Sequence, residues 1–419
     1  MDVVKIYSNM IKRNLSKPKV AQGFLHTGLY LGEKFVKLFP NKRIPQSLQY
    51  LNWTCFQNIR KPLSNQENSV WVNAFAPTEL LHAIDVYPLF IEAYSSFMSG
   101  FYIEDSLVDL AETRGIANTL CSFHKIFLGA GEAGILPKPK MAFTTSMVCD
   151  ANINTFRYLA NKYQVPLFAI DIPSEYSQES VMYVKNQLLE LKEIIEDSFS
   201  RKIELNKLRE ILQRENQTNL LRKEYMSYLS KRALPNALVY EMYMMFTSHV
   251  FMGTEETLRF YSLLLNDIKK APPKTGPSLF FIQLLPFYEP NFKRLLDYSS
   301  DYHILGCDLN YDYLEPIDLE DPYEGLAQKL IKNIYNGSFA NRIESISKII
   351  ETIKPDGVIQ FCHWGCKQSI GGINLLKDAL EQKGIPFLAV DGDIVDKRNN
   401  QEGQINTRLE AFLEMIEKI

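Results

Sequence analysis

Short apolar runs recur along the chain, and each is followed by a stretch whose apolar residues have helical spacing. Runs of this length, bounded by turn residues, are typical of buried strands. Alternation of such strands with helices predicts parallel βαβ units. The predicted strands are residues 71–75, 86–91, 140–144, 165–171, 278–283, 302–308, 356–361 and 384–391.

Two parts of this pattern are similar enough to indicate a repeat. The sequences VPLFAIDIP and IPFLAVDGD each follow a strand–cysteine–helix unit, with Cys149 before Asp171 and Cys366 before Asp391. We therefore predict an α/β protein with two flavodoxin-like domains of parallel strands, plus N-terminal and central helical segments. The predicted segments are 1–70 (helical), 71–200 (first α/β domain), 201–272 (helical connector) and 273–419 (second α/β domain).

Composition narrows the possible functions. The 419 residues carry a net charge of −3 without a basic or acidic tail, so no nucleic-acid partner is expected. No apolar run approaches the roughly 18 residues of a membrane helix, and the N-terminus lacks a signal-peptide pattern. We expect a cytoplasmic protein without a membrane partner. In that reducing compartment six cysteines do not indicate disulfides.

The cysteines lie mostly at the ends of predicted elements, where parallel α/β sheets bind ligands. Those at predicted strand ends are Cys149, Cys307, Cys362 and Cys366. Cys121 begins a short helical segment, and Cys55 lies on an ordinary helix. A thiolate at a helix N-terminus is stabilised by free N–H groups, so such cysteines are expected to ionise readily and to bind soft metals.

Four kinds of site compete for these thiols. Each could be a small buried hydrophobe. Zinc could use Cys362, His363 and Cys366, but no second close cysteine pair exists. A catalytic thiol could pair Cys121 with His124. An iron–sulfur cluster would take thiolates from several loops.

Nucleotide-binding motifs give no support to another cofactor. The sequence Gly129-Ala-Gly-Glu-Ala-Gly134 matches a dinucleotide fingerprint, but Pro and Lys follow it where a helix should begin. We therefore predict a loop there. A Walker A sequence is absent, so ATP binding through a P-loop is not expected.

Five motifs in order resemble one enzyme family. They are Ala76-Pro-Thr-Glu79, Leu120–Lys125, Val148-Cys-Asp-Ala-Asn152, His363-Trp-Gly-Cys366 and Gly403–Glu414. Together they resemble the 2-hydroxyacyl-CoA dehydratase and benzoyl-CoA reductase family, over the chain from about residue 70 to the end.

This resemblance implies a 4Fe–4S cluster held by Cys121, Cys149 and Cys366. It also implies a separate ATP-hydrolysing iron–sulfur activator that delivers low-potential electrons singly, and a homodimer. Glu79 is a candidate proton donor beside the cluster, or simply a first-turn glutamate favoured by the helix dipole. His124 and His363 are candidates for hydrogen bonding to cluster sulfurs or for proton transfer, or are structural histidines.

Three cysteines exceed what a three-thiolate site needs. Cys55, Cys307 and Cys362 bring the total to six, which is the number that a double-cubane (8Fe) branch of the family would require. We therefore predict an anaerobic, ATP-driven reductase component that acts on a small substrate. The alternatives are an (R)-2-hydroxyacyl-CoA dehydratase subunit and a non-catalytic iron–sulfur carrier.

Overall fold

Each half of the chain contains a four-stranded parallel sheet. The computed structural model describes residues 3–418. The first sheet has the order β2-β1-β3-β4 and the second the order β6-β5-β7-β8. The strands are β1 Ser69–Val72, β2 Tyr87–Phe90, β3 Met141–Thr145, β4 Leu167–Ile170, β5 Ser278–Ile282, β6 His303–Cys307, β7 Gly357–His363 and β8 Phe387–Gly392.

The two sheets have the same topology, in which the first strand lies between the second and the third. All pairings are parallel, for example Ser69 with Tyr87 in the first sheet and Leu279 with Gly357 in the second. Each observed strand overlaps a predicted apolar run. The predicted α/β class with two flavodoxin-like domains is therefore confirmed. The apolar runs predicted the strands well because buried central strands need continuous apolar residues rather than alternating ones.

Helices cover the sheets and connect them. Three helices precede the first strand, and four long ones separate the two sheets, as the helical periodicity of those regions predicts. The helices are α1 Val3–Arg13, α2 Pro18–Leu38, α3 Gln46–Ser64, α4 Glu79–His82, α5 Ile91–Gly100, α6 Glu104–Thr113, α7 Ser122–Glu132, α8 Asp150–Tyr163, α9 Gln178–Phe199, α10 Leu205–Leu229, α11 Leu238–Val250, α12 Glu255–Lys270, α13 Pro290–Leu296, α14 Pro322–Lys332, α15 Phe339–Ile353, α16 Lys367–Ile370, α17 Ile373–Glu381 and α18 Glu402–Ile416.

Helix α11 is buried on nearly every side and contacts both halves of the molecule. The Phe246 ring lies edge-on to Phe90 at the end of β2, with 5.0 Å between ring centroids. One turn later, the His249 Nε2 atom lies 3.0 Å from the Asp312 Oδ2 atom in the second half. A helix that is apolar all round is stable only inside a core, so α11 forms part of the core between the sheets. None of the helices within residues 3–418 has the length and apolarity needed to cross a bilayer.

The loop predicted at Gly129–Gly134 is wrong, because Gly129 and Gly131 lie inside α7. The glycines serve helix packing instead. A Cβ atom on Gly129 would lie 1.9 Å from the carbonyl oxygen of Leu107 in α6. The two helices can approach this closely only where a side chain is missing.

We predict that Gly129→Ala lowers the free energy of unfolding by about 3 kcal/mol, because the new methyl group meets backbone rather than a movable side chain. Gly23→Ala is the matched control in α2, where a Cβ atom has no neighbour within 4 Å. That variant should gain about 0.5–1 kcal/mol, since alanine favours the helix. Chemical denaturation of the two variants measures both values, and equal stability would contradict the proposed packing.

Candidate functional site

Three thiols line one cavity between the two sheets. The cavity has a volume of about 390 Å³, and its wall includes Cys121, Cys149 and Cys366. Each of these cysteines directly precedes a helix, namely α7, α8 and α16. Because β3 and β7 both end at this cleft, thiols from distant parts of the sequence converge there.

Left-handed backbone positions aim two of the segments into the cavity. Val148, with φ of +67°, turns the chain after β3 so that Cys149 begins α8. Gly365, with φ of +73°, does the same after β7 and before Cys366. A Cβ atom on Gly365 would lie 2.5 Å from the backbone nitrogen of Cys121. Only glycine therefore lets the second-domain turn rest on the cysteine of the first domain.

Each of two buried histidines lies against one thiol. The His363 Nε2 atom is 3.2 Å from the Cys121 sulfur, and the His124 Nε2 atom is 3.3 Å from the Cys149 sulfur. The backbone N–H of Ile394 donates to His363 Nδ1 at 3.1 Å. Nδ1 of the neutral ring is thus an acceptor, so the proton is on Nε2 and points at the Cys121 sulfur.

Burial keeps both rings neutral. It lowers the pKa of His363, and it lowers the pKa of His124 to about 4 with help from the nearby His363. The second nitrogen of His124 lies 2.9 Å from the Thr155 hydroxyl. Neutral rings with fixed partners can donate hydrogen bonds to sulfur without adding a positive charge.

Burial also controls the thiols. It raises the pKa of Cys121 well above the usual value, and the neighbouring Cys366 and Cys149 add to the increase. The same two causes, burial first and Cys366 second, raise the pKa of Cys149 to about 12. The expectation that these thiols ionise readily is wrong, because loss of solvation outweighs the favourable helix N-termini.

Gln283 is a site residue that the sequence analysis did not identify. It follows β5 with φ of +67°, and its side-chain amide donates to the Cys366 sulfur at 3.5 Å. Its backbone N–H donates to the Asp308 carboxylate at 2.5 Å, which fixes the turn. The available signal was a polar residue directly after a buried apolar strand.

The donor set of the cavity fits an iron–sulfur cluster better than a single ion. Within residues 3–418, no three His, Cys, Asp or Glu side chains are close enough to share one metal ion. A cluster spans the space between its ligands with its own iron and sulfide atoms, so its thiolates come from separate loops. Three thiols from three helix starts around one cavity match that need.

The other three cysteines lie outside this cavity. The Cys55 sulfur in α3 is 3.9 Å from the Tyr243 carbonyl oxygen in α11. Cys307 is fully buried at the end of β6, where the Glu241 carboxyl is among its neighbours.

Cys362 is inside β7 rather than at its end, because the strand continues to His363. Successive strand residues face opposite ways, so Cys362 points away from the side on which His363 meets Cys121. The structure therefore does not bring the three extra thiols to the three that share the cavity.

Glu79 lies in a separate chamber next to the cavity. The Lys329 ammonium donates to its Oε1 atom at 2.5 Å. Burial alone would raise the pKa of Glu79, but Lys329 outweighs it and holds the pKa below its usual value. Glu79 is thus a carboxylate at neutral pH and has no proton of its own to donate.

We predict that Gly365→Ala weakens the contact between the Cys366 turn and Cys121 and lowers the free energy of unfolding by about 3 kcal/mol or more. Gly384→Ala is the matched control. Gly384 also has positive φ, at +69°, but a Cβ atom there has open space. That variant should lose only the roughly 1 kcal/mol of left-handed strain. Chemical denaturation compares them, and equal losses would show that the close approach is unimportant.

Comparison with known proteins agrees with this geometry. The family model of the 2-hydroxyglutaryl-CoA dehydratase D-component matches residues 73–416. The (R)-phenyllactyl-CoA dehydratase alpha subunit of Clostridium sporogenes is 20% identical over 83% of this chain and 89% of its own length. The lactoyl-CoA dehydratase alpha subunit of Anaerotignum propionicum is 19% identical (91% and 98%), and a benzoyl-CoA reductase subunit of Thauera aromatica is 22% identical (74% and 79%). The chain therefore belongs to the 2-hydroxyglutaryl-CoA dehydratase D-component family.

Proposed function

We propose that this chain is the iron–sulfur component of an activator-dependent acyl-CoA dehydratase or reductase. The observation that carries the proposal is the convergence of Cys121, Cys149 and Cys366 on one cavity. The names of the relatives given above describe enzymes that act on acyl-CoA thioesters, which supports a thioester substrate for this chain. An ATP-hydrolysing iron–sulfur activator supplies the electrons, and the chain acts as a homodimer in the cytoplasm.

The three cysteines would hold a 4Fe–4S cluster, which when bound accepts and passes on single electrons. The chain's own residues prepare the site for it. The His363 Nε2–H group and the Gln283 amide donate hydrogen bonds to the sulfurs of Cys121 and Cys366. Such hydrogen bonds stabilise thiolate charge and raise the potential of a bound cluster.

Binding of the cluster is coupled to loss of protons from the thiols. Burial keeps Cys121 and Cys149 protonated, as their raised pKa values indicate. A metal ligand must be a thiolate, so each thiol releases its proton when iron binds. Iron held by these residues would supply the positive charge that the released protons had provided, so that neighbouring thiolates would not repel one another.

The geometry favours one cluster per chain over a double cubane. A second cubane would need Cys55, Cys307 and Cys362 to reach the same cavity. Cys55 is held against α11 and Cys307 is closed in beside Glu241. A single cluster would support the alternative of an (R)-2-hydroxyacyl-CoA dehydratase subunit, whereas the double-cubane reductase would require about eight irons per chain.

We predict about four irons per chain after anaerobic reconstitution, the number of one 4Fe–4S cluster. Cys149→Ser should lose most of that iron, because a hydroxyl is a poor ligand for it. Cys55→Ser and Cys307→Ser are the controls and should keep the wild-type iron content. Iron and sulfide analysis with paramagnetic resonance measures this, and about eight irons that fall in the Cys307 variant would establish the double cubane instead.

Turnover distinguishes an enzyme component from a carrier. We predict that the reconstituted chain, mixed with an ATP-hydrolysing iron–sulfur activator, is reduced only when ATP is present, and that it then dehydrates or reduces an acyl-CoA. The electron uptake is followed by the visible spectrum and the product by mass. A chain that is reduced but leaves 2-hydroxyacyl-CoA and aromatic acyl-CoA substrates unchanged would instead be a carrier.

A further inference from the structure

A buried ion triad joins three parts of the chain. Glu79 comes from α4 of the first half, Glu215 from α10 of the connector and Lys329 from α14 of the second half. The Lys329 ammonium donates to Glu79 Oε1 at 2.5 Å and to Glu215 Oε1 at 2.6 Å. The two glutamate side chains are only 2% and 1% exposed and the Lys329 side chain is 18% exposed, so bulk solvent screens this triad little.

The triad lines a chamber that contains unsatisfied polar atoms. Within residues 3–418, no donor satisfies the second carboxylate oxygens of Glu79 and Glu215, and the Nε atom of Arg222 has no acceptor. The two carboxyl groups lie close enough to share a hydrogen bond once one of them holds a proton. All three residues line the same chamber of about 30 Å³. That volume holds about two water molecules, so the orphaned atoms have room for solvent partners and for a mobile proton.

The charges around the chamber favour one bound proton. The charged or titratable groups facing Glu215 are Glu79, Arg222, His249, Asp312, Tyr313 and Lys329. Two carboxylates share the single ammonium of Lys329, and like charges at one site disfavour full ionisation. Lys329 holds the pKa of Glu79 low, whereas burial, with the charge of Glu79, raises the pKa of Glu215 to about 7.

The chamber and the cysteine cavity are separated by one turn of chain. Met147 lines the chamber, and Val148 and Cys149 line the cavity. Behind this turn lies Glu92, whose carboxyl group accepts from the Ala74 backbone N–H at 3.1 Å. Burial raises the pKa of Glu92 to about 7, and Glu92 in turn adds, after burial and Cys366, to the raised pKa of Cys149. A charge in the cavity and a charge in the chamber therefore lie on either side of this one turn of chain.

We propose that Glu215, in the chamber shared with Glu79 and Lys329, is an acid–base site that would take up one proton when a cluster held in the cysteine cavity is reduced by one electron. This inference rests on the proposed function for the source of that electron, which is the activator. The proton comes from bulk water or buffer through the chamber waters and forms one O–H bond on the Glu215 carboxylate. When the electron leaves for the substrate, the same proton is available to the product.

The first experiment tests the proton site in the chain without a cluster. In an infrared titration, both Glu215 and Glu92 should contribute carboxylic-acid absorption that disappears near pH 7, because burial raises the pKa of each to about 7. In a Glu92→Gln background the remaining band should be that of Glu215, and adding Glu215→Gln should remove it. Glu215→Asp keeps a carboxyl group and should restore a titrating band. Glu241→Gln, at a buried carboxyl that does not line the chamber, is the control and should leave the Glu215 band in place. Loss of the band in Glu79→Gln but not in Glu215→Gln would overturn the assignment.

Stability provides an independent readout. A carboxyl whose pKa is higher in the folded than in the unfolded chain holds more protons when folded between the two values. The contribution of Glu215 to the free energy of unfolding therefore falls as the pH rises from about 4.5 to about 7. In Glu215→Gln, the plot of the free energy of unfolding against pH should lack the part of the downward slope that one titrating carboxyl contributes. A slope equal to that of the wild type would overturn the proposal.

The second experiment tests the link to the cavity without needing a cluster. Cys149→Asp places a fixed negative charge where an electron would reside, and Cys149→Asn is its neutral match. The Glu215 midpoint should be higher in the Asp variant by about half a pH unit or more. Equal midpoints would overturn the coupling. A chain that binds no iron would refute the proposed function while leaving the Glu215 titration as measured.

Discussion

Parallel strand direction is the constraint on which the site depends. Because β3 and β7 end at one cleft, Cys149 and Cys366 meet there although 216 positions separate them in the sequence, and Cys121 joins them from the start of α7. The contact is close because Gly365 rests against the backbone of Cys121. The two halves of the molecule therefore define the cavity together, and neither half alone supplies all three thiols.

Burial decides the chemistry of everything at this cleft. Helix N-termini favour thiolates, yet loss of solvation keeps Cys121 and Cys149 as thiols. The same loss of solvation keeps His124 and His363 neutral. The neutral histidines and the protonated sulfurs of Cys121 and Cys149 suit the proposed cluster, which would bring its own positive charge. The sequence shows which residues precede helices, but only the folded structure shows how much water reaches them.

Apolar runs were sufficient to predict the strands, because a central parallel strand is buried on both faces and needs no polar alternation. They were also sufficient to indicate that cysteines gather at strand ends. They could not show which thiols converge. The predicted strand ended at residue 361, which placed Cys362 at the strand end, but β7 continues to His363. Neighbouring residues within a strand face opposite ways, so Cys362 points away from the side of His363. Gly129 was misread as a loop because the partner helix that requires a glycine lies elsewhere in the sequence.

Residues on the connector were the least predictable, since their role depends on contacts across both halves. Nothing near Glu215 in the sequence indicates that Lys329 and Glu79 will close around it. Once they do, the chamber and the cysteine cavity share the segment from Met147 to Cys149 as a common wall. An electron added on one side of that wall raises the cost of a carboxylate on the other. Proton uptake then follows from the architecture, because a low-dielectric interior tolerates two nearby negative charges poorly and a proton neutralises the carboxylate.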